Sequence, residues 1–203
     1  MSVYFTSDVH LSHEKIAEHR GYASVEDHDK AIMDQIVGLP SGSQLWVLGD
    51  LTIGRRRDED RWLHELGVVA NVRGLTLHLV PGNHDSCHPM HRDSHKHQRR
   101  FMEVFESVQP FARRKVGGHG VLLSHFPYRG DHTEEDRATQ YRLRDEGKWL
   151  LHGHTHQSQP LTSPGVRHLH VGWDTWHRPV SLDEIAALID EEEDGRRWPM
   201  SAR

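Results

Sequence analysis

Asp8 and His10 stand two residues apart behind an apolar run, and His154 and His156 repeat that spacing near the other end of the chain. Asp50 follows Gly49 behind a second apolar run, Asn83-His84-Asp85 follows Gly82 behind a third, and His125 closes the run Val121-Leu122-Leu123-Ser124. Carboxylate, amide oxygen and imidazole together are donors for divalent cations, and the nitrogen content favours Mn, Fe, Zn, Co or Ni over Ca and Mg. In extended geometry residues i and i+2 project to one face, so each spaced pair would present both of its side chains together. A carboxylate has two oxygens and can bridge two cations. Taken singly, each element has a plainer reading: Asp-x-His at a strand end is a capping pair, and Gly-Asp is a turn in which glycine lets the backbone bend tightly. Five strand ends that deliver ligand-type residues in one chain form a constellation.

The elements that must position these residues alternate along the first half. Short β-rich runs at Val3 to Asp8, Gln44 to Gly49 and Leu75 to Val80 are separated by helical patterns at Ser24 to Val37 and Asp58 to Val69, which predicts an α/β or layered fold. Sites in such sheets lie beyond the carboxyl ends of the strands, where these polar clusters fall. In the second half, strands are expected near Phe111 to Val116, Val121 to Ser124, Lys148 to His152 and Arg167 to Val171. A closing helix should start after the cap Ser181, with Asp183 and Glu184 in its first turn and Ile185, Leu188 and Ile189 as its apolar stripe. The charged, proline-containing segment from Asp190 onward is expected to fray. The chain therefore reads as a single domain over 1–190 with a flexible tail over 191–203, and no internal repeat is visible.

Composition bounds what this arrangement can be. The chain has 203 residues, of which 35% are hydrophobic, enough for one core that must be concentrated in the apolar runs. No stretch approaches the roughly 20 apolar residues that span a bilayer, and the chain starts without a basic signal-peptide pattern, so a soluble, cytoplasmic protein is expected. The single cysteine, Cys87, cannot form an internal disulfide, in keeping with a reducing compartment. The unusual figure is 20 histidines against a net charge of −5. Protonating half of them near pH 6.5 would move the charge by about +10, so the overall field argues for no particular polyanionic partner.

The series Asp8-Val-His10, Gly49-Asp50, Gly82-Asn83-His84-Asp85, His125 and Gly153-His154-Thr-His156 resembles, in content and in order, the five-block signature of calcineurin-like metallophosphoesterases. The blocks span residues 8 to 156. This resemblance implies an α/β fold of four layers, α/β/β/α, in which a β-sandwich is flanked by helices. It implies two divalent metal ions above the strand ends, the first held by Asp8, His10 and His156 and the second by Asn83, His125 and His154, with Asp50 bridging them. Manganese is the expected ion, with Fe, Zn, Co or Ni as alternatives. A metal pair about 3.5 to 4 Å apart binds phosphate oxygens and generates hydroxide at neutral pH for in-line attack. His84 takes the part of general acid toward the leaving group, and Asp85 that of the residue holding its ring.

Around this core, His13 and Arg55 are candidate substrate contacts, with plain surface positions as the alternative. The stretch Ser86 to Arg100, rich in His, Arg and Lys, reads as a loop leaving the site, solvated or gripping an anion. Trp173 and Trp176 could stack a base or pack the end of the sandwich. With no cap domain visible between the blocks, the expected activity is phosphodiester hydrolysis of nucleotide-sized substrates such as cyclic nucleotides or aryl diesters. A phosphomonoesterase or protein phosphatase is less expected, since the further arginine motifs of phosphoprotein phosphatases are missing, and a nuclease lacks a long basic groove. A non-catalytic scaffold of the same fold would have lost ligands or His84, and none is lost. The expected partner is a small phosphate ester, a nucleotide above others, with no membrane and no stable nucleic-acid complex.

Overall fold

The computed structural model describes residues 2–162 and 165–197. Alternation along short strands sets its layers. The first sheet has β1 (Val3–Thr6), β2 (Gln44–Val47), β3 (Thr76–Leu79) and β4 (Ser107–Val108) in parallel, with β9 (Val180–Ser181) antiparallel against β1, in the order β4-β3-β2-β1-β9. In β2, Leu45 and Val47 face one core while Trp46, followed by Leu48, faces the other. β3 follows the same rule: Leu77 and Leu79 join the first core, and His78 stacks on Trp46 with ring centroids 4.3 Å apart. A parallel strand buried on both faces reads as a continuous apolar run, which is how Leu45 to Leu48 stood out in the sequence; in β3 the run is interrupted by His78.

The second sheet has the order β5-β6-β7-β8, built from β5 (Ala112–Val116), β6 (His119–Leu123), β7 (Trp149–His152) and β8 (His168–His170). β5 and β6 form an antiparallel hairpin, and β6, β7 and β8 run parallel. Its inner residues Val121, Leu123, Leu151 and Leu169 meet Phe5, Trp46 and Val80 of the first sheet.

The other core lies between the first sheet and the helices α2 (Val25–Val37), α3 (Arg56–Arg73) and α4 (Ser94–Met102), to which Ile32, Ile36, Trp62, Leu63, Leu66 and Phe101 contribute, and the short helix α1 (Glu14–His19) packs on α2. Ser24 caps α2 by accepting the Asp27 N–H, and α3 ends at Gly74, whose φ of 63° suits a glycine. A four-residue helix α5 (Trp173–Trp176) precedes β9. The last helix, α6 (Leu182–Arg197), opens with a capping box: the Ser181 N–H donates to Glu184 Oε2 at 3.0 Å and the Glu184 N–H to Ser181 Oγ at 3.2 Å. Its Ile185 and Ile189 pack into the inter-sheet core, so α6 bears on both sheets.

The expected helix-flanked sandwich of two sheets is therefore present. Three expectations need correction. Helix α6 runs on through the segment from Asp190 read as frayed, to Arg197, while 198–203 lie outside the described residues. The stretch Ser86 to Arg100 is not all loop, because α4 begins at Ser94. Only Phe101 of α4 is buried, so there was no apolar stripe to see; Arg100 holds the helix to α3 through Glu59 and Asp60. Third, β1 stops at Thr6, before Asp8 and His10. Among the described residues no helix is long and apolar enough to cross a membrane.

Candidate metal centre

The loops after β1, β2, β3, β6 and β7 meet at one end of the sandwich and carry all nine residues of the five sequence blocks. They are laced by backbone bonds: the N–H groups of Asp8, His10 and Leu11 donate to the carbonyls of Gly49, Asp50 and Leu51 at 3.0, 3.0 and 2.8 Å. The paired ligands do not use extended geometry. Asp8, His10, Asp50, His154 and His156 have φ values of 54°, 48°, 57°, 69° and 49°, all in the left-handed region. This conformation costs an L-residue about 1 to 2 kcal/mol, and Asp and His tolerate it better than β-branched residues do. Its concentration at one loop cluster is how strained backbone marks a working site.

Asp8, His10 and His156 place one ligand atom each within 4.8 Å of one another, as do Asp8, Asp50 and His125. His10 Nε2 faces His156 Nε2 at 3.3 Å. Asp50 Oδ2 lies 3.7 Å from His10 Nε2 and 3.6 Å from His125 Nε2, so one carboxylate oxygen stands between the two groups. Asn83 Oδ1 lies 3.0 Å from His125 Nε2 and 2.9 Å from His154 Nδ1. The structure thus brings Asp8, His10 and His156 together on one side of Asp50, and Asn83, His125 and His154 on the other.

The donor chemistry of this cluster fits metal ions. His125 Nδ1 is 2.7 Å from the Leu48 carbonyl and must donate to it, which leaves Nε2 as the nitrogen facing Asn83 Oδ1, itself an acceptor. Two imidazole Nε2 atoms face one another at His10 and His156 in the same way. Each such acceptor pair needs a proton or a cation between its members, and a cation with bonds of about 2.0 to 2.2 Å sets ligand atoms at about this spacing.

Burial decides much of the electrostatics. It pushes His10 down to about 3 and His154, with help from His125, down to about 4, so both rings are neutral at physiological pH. Burial also opposes charge on Asp8, yet His156, His125, His170 and His10 around it outweigh that cost and hold its carboxyl far below the usual range. For His125 the two aspartates, Asp50 foremost, overcome burial and raise the ring, and Asp174 does the same for His156.

Asp85 does not hold the His84 ring. Its buried carboxylate points back under the loops and accepts the N–H groups of Asp50 at 2.9 Å, Leu51 at 3.0 Å and Gly82 at 2.8 Å. Burial beside Asp50 pushes its carboxyl up to about 7 against the pull of these donors. It is a clamp between the two loops that carry Asp50 and Asn83. The His84 ring lies edge-on to His10, with centroids 5.2 Å apart; its Nδ1 is 3.4 Å from the Ile53 carbonyl, and its own N–H donates to Asp50 Oδ1 at 2.9 Å.

The ligand cluster opens into a depression of about 460 Å³ whose other walls are His13, Ile16, His19, His84, His132 and Thr155. His13 caps α1 by accepting the Ile16 N–H and stands 5.5 Å from the His10 ring. Arg55 is exposed at the start of α3 and lines an adjoining depression with Lys15 and Ile53 that shares His13 and His84 with the first. The stretch Ser86 to Arg100 reaches the site through His91, which donates to the Asn83 carbonyl at 2.9 Å, while Ser86, whose N–H and hydroxyl both donate to buried Glu59 at 2.7 Å, ties it to α3. Trp173 packs in the core, and the Trp176 indole N–H donates to the His170 carbonyl at 2.9 Å, so neither ring faces the depression.

Sequence reasoning missed Asp174, Arg20, Asp131 and His170. Asp174 Oδ2 lies 2.8 Å from His156 Nδ1, Asp131 Oδ2 lies 3.2 Å from His154 Nε2, and His170 Nε2 lies 3.8 Å from Asp8 Oδ2. Only their closeness to the blocks, Asp131 six residues past His125 and Asp174 beside Trp173, was visible beforehand.

A model of the calcineurin-like phosphoesterase family matches residues 1–158. The Gene 66 protein of Mycobacterium phage L5 is 45% identical over 208 residues, covering 96% of this chain and 98% of that protein. The Gene 66 protein of Mycobacterium phage D29 is 44% identical over 205 residues with the same coverage, 96% and 98%. Among solved structures, AQ665, a protein of unknown function from Aquifex aeolicus, has the same fold, with a TM-score of 0.66 at 23% identity over 92% of this chain and 98% of its own. With the match spanning every ligand-bearing loop, the chain belongs to the calcineurin-like phosphoesterases, metal-dependent hydrolases of phosphate esters.

Proposed function

We propose that this protein hydrolyses phosphodiesters of nucleotide size, cyclic nucleotides and aryl diesters among them, with manganese as the working ion. The observation that carries the diester preference is the lining of the depression. Beyond the ligand cluster its walls are imidazoles, an isoleucine and a threonine, and no Arg or Lys is among the described residues that line it. A monoester dianion gains most from a guanidinium fork, and this depression offers its second negative charge none. Two divalent ions held by the cluster supply Lewis acidity for the phosphate oxygens and activate water at neutral pH.

The chain's own groups do the rest. The Asp50 side of the depression is where the ions would present a phosphate, and His84 stands over His10 at the rim. As water's oxygen, its proton passing to solvent, bonds to phosphorus and the ester P–O bond breaks, the leaving oxygen takes a proton from Nε2 of the protonated His84 ring, whose Nδ1 side is turned to the Ile53 carbonyl; solvent then returns a proton to the ring. Arg55, in the adjoining depression on the His84 side, is placed to meet a leaving group that extends past the rim. A reducing, cytoplasmic setting belongs to the same reading, supported by a lone cysteine, Cys87, that is buried and unpaired.

The test is a comparison of matched aryl monoester and diester with added Mn. The diester should have the larger kcat/KM. A tenfold preference for the monoester, about 1.4 kcal/mol of transition-state stabilisation, would place the substrate class elsewhere. His84→Ala should keep its metals and lose more rate on a cyclic nucleotide than on an aryl diester, the gap approaching the 10² to 10⁴ (roughly) typical of general acid catalysis. Equal losses on both substrates would make His84 a phosphate contact.

A further inference from the structure

One guanidinium behind the metal cluster ties together segments far apart in the chain. Arg20, at the end of α1, has a side chain only 3% exposed. Its Nη2 donates to the Asp8 carbonyl at 2.7 Å and to Asp174 Oδ2 at 2.8 Å, and its Nε to Asp174 Oδ1 at 2.8 Å. Its Nη1 donates to the Val9 carbonyl at 3.3 Å and to His28 Nε2 at 2.9 Å. Arginine has no acceptor, so His28 Nε2 must accept. The His28 proton therefore sits on Nδ1 and goes to Asp29 Oδ1 at 3.0 Å, and Asp29 also accepts the Ser12 N–H at 3.0 Å. The Asp8 turn, α2 and α5 are thus locked to a single buried cation.

The chain of bonds continues into the cluster. Asp174 Oδ2, already held by Arg20, accepts from His156 Nδ1 at 2.8 Å. We propose that Asp174, backed by Arg20, is the positioning residue of the first ligand group: it fixes the His156 proton on Nδ1, so that Nε2 is presented as a lone pair beside His10 and Asp8.

Its neighbour in the motif is set the opposite way. His154 turns Nδ1 to Asn83 Oδ1 at 2.9 Å, while its Nε2 lies 3.2 Å from Asp131 Oδ2, a carboxylate held in turn by Arg137 Nη2 at 3.1 Å. Two histidines separated by one threonine therefore present different nitrogens inward: the outer nitrogen of His156 is hydrogen-bonded to an arginine-backed carboxylate, and that of His154 faces a second carboxylate at 3.2 Å. The consequence is selectivity. Asp174 governs the group formed by Asp8, His10 and His156, and leaves the group formed by Asn83, His125 and His154 to other supports.

This inference rests on the two-ion reading of the site, and the experiment separates the two. Mn is titrated into the parent protein and into Asp174→Asn, which keeps the side chain's shape, with calorimetry and elemental analysis as readouts. The parent should bind two ions; if it binds one or none, the two-ion reading fails first. Given two ions in the parent, the variant should lose about 10- to 100-fold in affinity at one site and keep the other. In the metal-free protein, at a pH high enough to leave the His156 ring neutral, nitrogen-edited spectra of the histidine rings should show a single Nδ1–H tautomer for His156, and a mixture or the Nε2–H form in Asp174→Ala. Affinities that are unchanged, or that fall in parallel at both sites, would overturn the proposal. So would a His156 tautomer that is the same in parent and variant.

Discussion

Gly82→Ala adds one methyl group at the point where the ligand loops press closest. A Cβ on Gly82 would overlap Asp50 Oδ1 and stand 2.7 Å from both Cε1 and Nδ1 of His125. Ordinary contact begins at 3.4 Å, so the ring must retreat by about 0.7 Å and the carboxylate further. Gly82 is not among the glycines with positive φ, so the methyl group is the whole perturbation, with no backbone strain added. Overpacking of this kind costs about 1 to 3 kcal/mol. At about 2 to 4 °C per kcal/mol for a chain of this size, the melting temperature should fall by about 2 to 12 °C. Metal binding should suffer more, because Asp50 and His125 cannot both keep their places, and a misplacement approaching 1 Å is worth about 10² in a site of this kind. Calorimetric titration with Mn and thermal unfolding on the same preparations measure both effects. Gly118→Ala is the control: Gly118 sits at the hairpin between β5 and β6 with φ of 92° and open space around it. That variant should lose about 1 to 2 kcal/mol from backbone strain alone and bind metal as the parent does. A Gly82→Ala protein that takes up Mn with parental affinity would refute the claim that these loops are packed against the ligands.

Two further perturbations follow from the same contacts. Asp85→Asn leaves one of three buried N–H groups facing a donor, so unfolding free energy should drop by about 1 to 3 kcal/mol in denaturant titration; undiminished stability with a rate loss confined to poor leaving groups would instead restore Asp85 as the partner of His84. Arg178 and the Ser181 groups hold the Glu184 carboxyl down at about 2, below its ordinary 4.5. The stabilisation is therefore full above pH 4.5 and disappears as the pH falls through 2. With Glu184 41% exposed, solvent screening reduces it, and Glu184→Gln should cost about 0.5 to 1 kcal/mol at pH 7. The difference from the parent should vanish near pH 2, and a penalty that persists there would show that charge is not its source.

Several parts of this arrangement are legible without coordinates, for reasons that can be named. Leu45 to Leu48 is apolar on both faces because both faces are covered, Leu77 to Val80 breaks that run only with His78, which stacks on Trp46, and the polar residues that follow each run fall in the loop cluster. Ser24 and Ser181 announce helices because their hydroxyls satisfy N–H groups that every helix start leaves free. The left-handed backbone at Asp8, His10, Asp50, His154 and His156 is imposed by loops from both sheets meeting, which spacing within one segment does not encode. Asp85 follows His84 in the chain, but the tight turn sends their side chains to opposite sides of the loop's purpose, one to the depression and one beneath it. The Arg20–Asp174 pair joins residues 154 positions apart, so nothing local distinguishes either partner from a surface charge. Helix α4 is held by one phenylalanine and one arginine, too few for a periodic signal.

The central claim is that two ions share Asp50. Electron paramagnetic resonance of the protein loaded with two equivalents of Mn tests it most directly, because a carboxylate oxygen shared between neighbouring ions couples their spins. The account predicts the multiline spectrum of an exchange-coupled pair in the parent protein, reduced to an uncoupled six-line signal in Asp50→Asn. A six-line signal from isolated ions at every loading of the parent would contradict it.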